Sequence, residues 1–177
     1  AVAAAHAKSL SDAMTKYNIT TKKRITAFMA QIGHESGRLR YVREIWGPTS
    51  AQMRYERDMD AAWPPTPDDR RNSLAWRLGN AMPGDGKTFM GRGLIQVTGR
   101  ANYRSVGMGL GKDFVAFPRT LELPEFAALS ACFYWDSRAL NDKADAEDFD
   151  AITKAINGGQ NGRDDRLALF ARAKLIF

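Results

Sequence analysis

Two glutamates nine positions apart, Glu35 and Glu44, are the residues of this sequence best suited to paired acid and base work. Inverting cleavage of a glycosidic bond uses two carboxyl groups. One is protonated and donates to the leaving oxygen; the other is ionised and activates a water on the opposite face of the sugar. Spacing alone does not single the pair out, because the chain holds 20 acidic residues and most such pairs are solvated. The surroundings of Glu35 are more telling. Ile25, Phe28, Met29 and Ile32 recur at helical spacing and run directly into it, so its carboxyl stands at the end of an apolar stripe. Desolvation there would disfavour the charged form and raise its pKa, the condition a general acid requires near neutral pH. Gly37 offers a stop to that helix. Glu44 follows in residues 41–46, which lack a helical pattern and could carry a second carboxyl across a cleft. Trp46 is the tryptophan expected near the site, with a face for a sugar ring to stack on.

A second constellation is Gly91-Arg92-Gly93-Leu94-Ile95-Gln96-Val97-Thr98. Glycines at 91 and 93 let the backbone approach a ligand, Gln96 offers donor and acceptor to sugar hydroxyls or an N-acetyl group, and the Thr98 hydroxyl could hold a water. A phosphate-binding loop is excluded, since neither G-x-x-x-x-G-K-[ST] nor G-x-G-x-x-G is completed. A purely structural turn is the alternative. The third constellation is Asn157-Gly158-Gly159-Gln160-Asn161-Gly162, where Asn157 either turns its amide into a cleft or simply ends a helix. Arg166 either pairs with a buried carboxylate or forms a surface salt bridge, the commoner fate of an arginine after two aspartates.

The elements that must position these residues are mainly helical. Leu10, Ala13, Met14 and Tyr17 share a face over residues 3–17, and Thr20 or Thr21 can cap the next helix. Helices are expected within 50–62, before the proline cluster at 64–67, and again over 68–78. Residues 79–99 are glycine-rich, with a β-like run only at 94–98, which predicts a loop or small hairpin lining the site. Helices follow over 124–137, with Phe126, Leu129 and Phe133 facing inward, over 150–157 and over 164–174. The whole chain, 1–177, reads as one domain.

At 177 residues, 44% of them hydrophobic, the chain can bury a substantial core. Its net charge of +6 points to an anionic partner. Nucleic acid is disfavoured because basic and acidic residues interleave rather than form one stripe. A basic face around Arg163, Arg166, Arg172 and Lys174 suits an anionic wall or outer-membrane surface. Cys132, the one cysteine, excludes an internal disulfide, and with only His6 and His34 beside it no zinc site is expected. No metal or cofactor is expected at all, and a monomer is. No run is long and apolar enough for a membrane helix, and the opening residues make a poor signal peptide.

Taken in order, HESG, the glutamate nine residues on, GRGLIQVTGRANY and INGGQNG resemble glycoside hydrolase family 19, the chitinase-like family that includes phage endolysins. The likeness covers about residues 25–175. It implies that Glu35 is the general acid and Glu44 the general base. It implies that Thr98, where plant members carry serine, positions the attacking water, and that Gln96, Asn102 and Asn157 bind substrate. It also places Arg166 near the catalytic carboxylates. The implied fold is a lysozyme-like, two-lobed helical domain with a small β-hairpin or loop element at the cleft. The missing cysteines and short length set the chain apart from the plant chitinases and favour a peptidoglycan hydrolase of endolysin type, held in a host cytoplasm until it reaches the cell wall. A chitinase, a lytic transglycosylase and a non-catalytic wall-binding module are the alternatives.

Overall fold

The computed structural model describes residues 2–177. Ten α-helices and one 3-10 turn follow one another among them, joined by long irregular segments in the first half of the chain. The first two, α1 (Val2–Lys16) and α2 (Lys22–Glu35), are separated by a short turn. α1 buries Leu10, Ala13 and Met14, the face expected from periodicity. Thr21, not Thr20, caps α2: its hydroxyl accepts the Arg24 N–H at 3.3 Å. α2 is covered on most sides, with Thr26, Ala27, Phe28, Ala30, Gln31, Ile32 and Gly33 all buried, so it serves as the axis of the body.

Three short helices come next, α3 (Ser50–Met53), α4 (Ser73–Leu78) and α5 (Asp85–Thr88), then α6 (Arg100–Leu110). After the 3-10 turn (Pro118–Glu122) follow α7 (Pro124–Asp136), α8 (Leu140–Asp145), α9 (Phe149–Asn157) and α10 (Arg163–Ile176). α10 and α8 pack on α2, and α1 packs on α7. Phe28 meets Trp135 edge to face at 5.3 Å, and Phe149 stacks on Phe170 at 4.3 Å, pinning these layers together. Residues 41–99 form the second lobe. It joins the body through α6, which touches both α4 and α7, and through Phe89, Leu94, Ile95 and Val97, which enter the same buried core.

Several expectations change here. The helix foreseen within 50–62 is a single turn, and the one foreseen from 68 starts at Ser73. Polar side chains in between hold the backbone in irregular form instead. The Asn72 amide accepts from Asp58 N–H at 2.8 Å and donates to the Asp58 and Ala62 carbonyls, while Asp69 accepts from Ala62 N–H at 3.2 Å. α6 went unforeseen, its inward Tyr103 and Val106 masked by glycines at 107, 109 and 111. The glycine at 109 is needed: a Cβ there would lie 2.2 Å from the Phe133 ring. On α7 the deeply buried face is Ala127, Ala128, Ala131, Cys132 and Trp135, and Phe126, Leu129 and Phe133 sit at its margin. The hairpin reduces to two isolated antiparallel bridges, Arg43 with Arg92 and Arg92 with Val97. None of the described helices is long and apolar enough to cross a membrane.

Candidate active site

Glu35 is the last residue of α2. Ser36 ends the helix by donating its hydroxyl to the Ile32 carbonyl and accepting the Leu39 N–H at 2.8 Å, and Gly37 follows with φ 56°. The chain therefore turns away sharply and leaves the Glu35 side chain at the wall of a cavity of about 320 Å³. Gln96, Thr98, Asn102, Phe133 and Tyr134 line the same cavity.

The apolar stripe does lead to Glu35, but the carboxyl does not end in an apolar pocket. Its side chain is 20% exposed, and its Oε1 accepts from the Arg166 guanidinium at 2.5 Å. Arg166 itself is 2% exposed. It also donates to Gln31 Oε1 at 2.5 Å and to the Asn161 carbonyl at 3.3 Å, and Gln31 in turn donates to Thr153 at 2.8 Å. α2, α9 and α10 are thus tied through one buried polar chain that ends on the carboxyl. Of the two fates open to Arg166, the buried pair is the one observed. It consequently cannot belong to a basic surface, and Arg163 beside it is engaged by Asp150 at 2.9 Å. One residue before Arg166, Asp165 accepts from His34 at 2.7 Å and from Arg38 at 2.5 Å. The hydrogen bond with His34, then that with Arg38, holds the Asp165 carboxyl below the ordinary carboxylate range.

Glu44 is placed by a different device. Its backbone N–H donates to the Gly91 carbonyl at 2.8 Å, and its Oε2 accepts the Gly91 N–H at 3.0 Å. Its Oε1 accepts from the Gln52 amide at 2.9 Å. Gln52, 5% exposed, also donates to the Ile45 carbonyl and accepts from the Gly47 and Thr49 N–H groups, gathering residues 44–49 around one side chain. Sequence reasoning passed over this residue, although Thr49 and Gln52 form a capping box on α3 that could have marked it.

Gly91 connects the two halves. A Cβ there would stand 2.7 Å from Gln96 Oε1 and 3.3 Å from Thr98 Oγ1, so the backbone that carries the donor to Glu44 lies directly against the residues of the Glu35 cavity. Gln96 adopts φ 53°, a left-handed conformation costly for a residue with a side chain. Its amide donates to the Gly93 carbonyl at 2.9 Å. Thr98 donates to the Gln96 carbonyl at 2.9 Å, and Asn102 donates to the Thr98 carbonyl at 2.7 Å. Beneath the loop the buried Arg92 reaches Glu122 at 2.8 Å, the Thr88 carbonyl at 2.7 Å and the Tyr103 hydroxyl at 2.8 Å. Burial pushes the Tyr103 phenol up to about 12.

Among the sequence candidates, Glu35, Gln96, Thr98 and Asn102 share one cavity, and Arg166 stands behind it. Glu44 and Trp46 line a separate recess of about 600 Å³, linked to the first through Gly91. Asn157 lines neither. Its amide donates to the Asn161 carbonyl at 2.7 Å and accepts the Gly159 N–H at 2.8 Å, so of its two readings the helix-ending one describes what it does here. Phe133 and Tyr134 were overlooked as lining because a run of aromatics on a helix reads first as core.

Comparison with known proteins bears on the family. The family model described as chitinase class I, glycoside hydrolase family 19, matches residues 1–153. A glycosyl hydrolase family 19 domain-containing protein of Haemophilus influenzae is 32% identical over 179 residues, covering 96% of this chain and 87% of that protein. Chitinase 5 of Oryza sativa subsp. japonica is 30% identical over 156 residues, covering 88% of this chain but 46% of the rice protein, so the chain spans about half the length of that plant relative. The crystal structure of chitinase C from Streptomyces griseus superposes with a TM-score of 0.69 at 23% identity, over 96% of this chain and 68% of the other, a likeness of fold. A lysozyme-like helical fold and these matches converge: the chain belongs to glycoside hydrolase family 19 and is a glycoside hydrolase.

Proposed function

We propose that the chain cleaves β-1,4 bonds of the bacterial wall glycan by a single displacement, with Glu35 as acid and Glu44 as base, and that it serves in lysis of a bacterial cell as an endolysin does. The observation that carries the mechanism is the contrast in how the two carboxyls are held. Both oxygens of Glu44 accept N–H donors, from Gln52 and Gly91, which suits an acceptor-only carboxylate acting on water. Glu35 accepts through Oε1 alone, leaving Oε2 without a protein partner among the described residues and available to hand a proton to the leaving oxygen. Thr98 spends its hydroxyl hydrogen on the Gln96 carbonyl, so toward the cavity it presents lone pairs that can accept from the attacking water. Asn102, its amide hydrogen given to the Thr98 carbonyl, keeps Oδ1 to receive a sugar N–H or O–H. The water oxygen bonds to the anomeric carbon as the glycosidic C–O bond breaks, one water proton passes to Glu44, and the Glu35 proton goes to the leaving oxygen.

The net charge of +6 favours the anionic wall over neutral chitin as substrate. Chitin hydrolysis is the second reading, favoured by the 30% identity to rice Chitinase 5. Mass spectrometry of products from purified peptidoglycan and from chitin oligomers tests both. Reducing-end sugars of inverted configuration from peptidoglycan are expected. Products ending in a 1,6-anhydro ring would instead indicate a transglycosylase and remove Glu44 from the mechanism, and release from chitin alone would make the enzyme a chitinase.

A further inference from the structure

The recess that holds Glu44 and Trp46 is rimmed by three cations, Arg40, Arg43 and Lys87, all exposed. Two acids face them there, Glu44 and Glu122. Glu122 is already committed to the buried Arg92 at 2.8 Å, and Arg43 approaches its other oxygen only to 3.9 Å. Arg40 and Lys87 form no ion pair and donate no side-chain hydrogen bond among the described residues, although Lys87 contributes its backbone N–H to Glu56. Three positive side chains with one loosely held partner therefore stand around the base. A neutral glycan would gain hydrogen bonds from them but no charge pairing. An anionic group would, because same-sign charges lining a concave wall concentrate counter-charges, and guanidinium groups bind carboxylates through paired N–H donors.

We propose that this recess receives a carboxylate borne by the wall strand, that of the peptide attached to muramic acid or, where no peptide is attached, that of the lactyl group, and so selects wall strands over chitin. The proposal rests on the wall-glycan reading of the same site and adds the residues that enforce it. Trp46 supplies the apolar face against which the substituted sugar lies, and the cations hold the acid group extending from it.

The test compares the wild type with the triple variant R40A/R43A/K87A on three substrates: intact peptidoglycan sacculi, the same strands stripped of peptide by an amidase, and the neutral N-acetylglucosamine hexamer. The three side chains are exposed, and a melting curve checks that the variant is folded. The ratio of kcat/KM on sacculi to that on the hexamer is expected to fall by about tenfold or more, the size of a lost charge-assisted contact. Its decline with added salt should flatten as well. A loss confined to sacculi identifies the peptide carboxylates as the bound group; a loss extending to stripped strands shows that the recess also takes the lactyl carboxylate that the amidase sets free. An unchanged ratio in an enzyme that cleaves sacculi overturns the recess alone. A wild type that cleaves the hexamer but neither wall substrate overturns the wall-glycan reading and this proposal with it.

Discussion

The carboxyl groups of Glu35 and Glu44 are anchored by opposite strategies. Glu35 rides on a helix covered on most sides, and its orientation is set by a buried guanidinium that also binds Gln31 and the end of the α9–α10 loop. Glu44 rides on irregular chain, and its orientation is set by one amide side chain and one backbone N–H. The first arrangement couples the acid to the stability of the whole body. The second confines the base to a local set of hydrogen bonds that can be lost without unfolding the protein.

Glu35→Gln breaks the comparison most strongly. Turnover should fall by about 100- to 10,000-fold, the range for removing a general acid. The same change leaves the buried Arg166 without a counter-charge, so stability should drop by about 1–3 kcal/mol. A variant of full activity, measured by turbidity loss of wall suspensions, would dismiss Glu35 as the acid. Arg166→Ala should be the most destabilising substitution, by about 3–5 kcal/mol in urea titration, because it leaves a carboxylate and the Gln31 carbonyl oxygen unpaired inside. A loss below about 1 kcal/mol would show that the polar chain does not hold α10 to α2.

Gln52→Ala should separate the two regions cleanly. It removes the donor to Glu44 and the organiser of residues 44–49, so kcat should fall about tenfold or more while stability drops by only about 1–2 kcal/mol. Equal falls in Gln52→Ala and Arg166→Ala stability would erase the distinction. The smallest effect belongs to Asp165. Its folded carboxyl titrates below the ordinary value of 3.8, so the folded protein binds that proton less tightly than the unfolded chain. The resulting stability is present above that pH and is lost as pH falls through the lowered folded value. Wild type and Asp165→Asn should therefore differ in melting temperature near pH 6 and converge in strong acid. A gap that widened on acidification would contradict the pairing with His34 and Arg38.

Legibility in the sequence followed the same division. α2 was readable because Ile25, Phe28, Met29 and Ile32 are a local pattern, and so was the loop character of 79–99 because glycines are local signals. The environment of Glu35 was not, since Arg166 arrives from 131 residues away. Periodicity reports which face is buried, not which polar group is buried with it. α6 stayed hidden because glycines crowd its end: Gly109 serves close packing against Phe133, and Gly111 caps the helix in a left-handed turn. The short α3 and late start of α4 reflect Asn72 and Asp69 competing with the helix for backbone hydrogen bonds, a tertiary outcome with no periodic trace.

Arg92 adds a last consequence. Its backbone pairs with both Arg43 and Val97, while its side chain grips Thr88, Tyr103 and Glu122 beneath. The register between the base-bearing segment and the Gln96–Thr98 loop is therefore set over Gly91 to Gly93, by residues other than those between Met59 and Arg71, which line neither recess. Changes confined to that stretch leave this pairing in place. Substrate loops can be grafted or trimmed there, and new specificities acquired, on a catalytic frame whose alignment is fixed elsewhere.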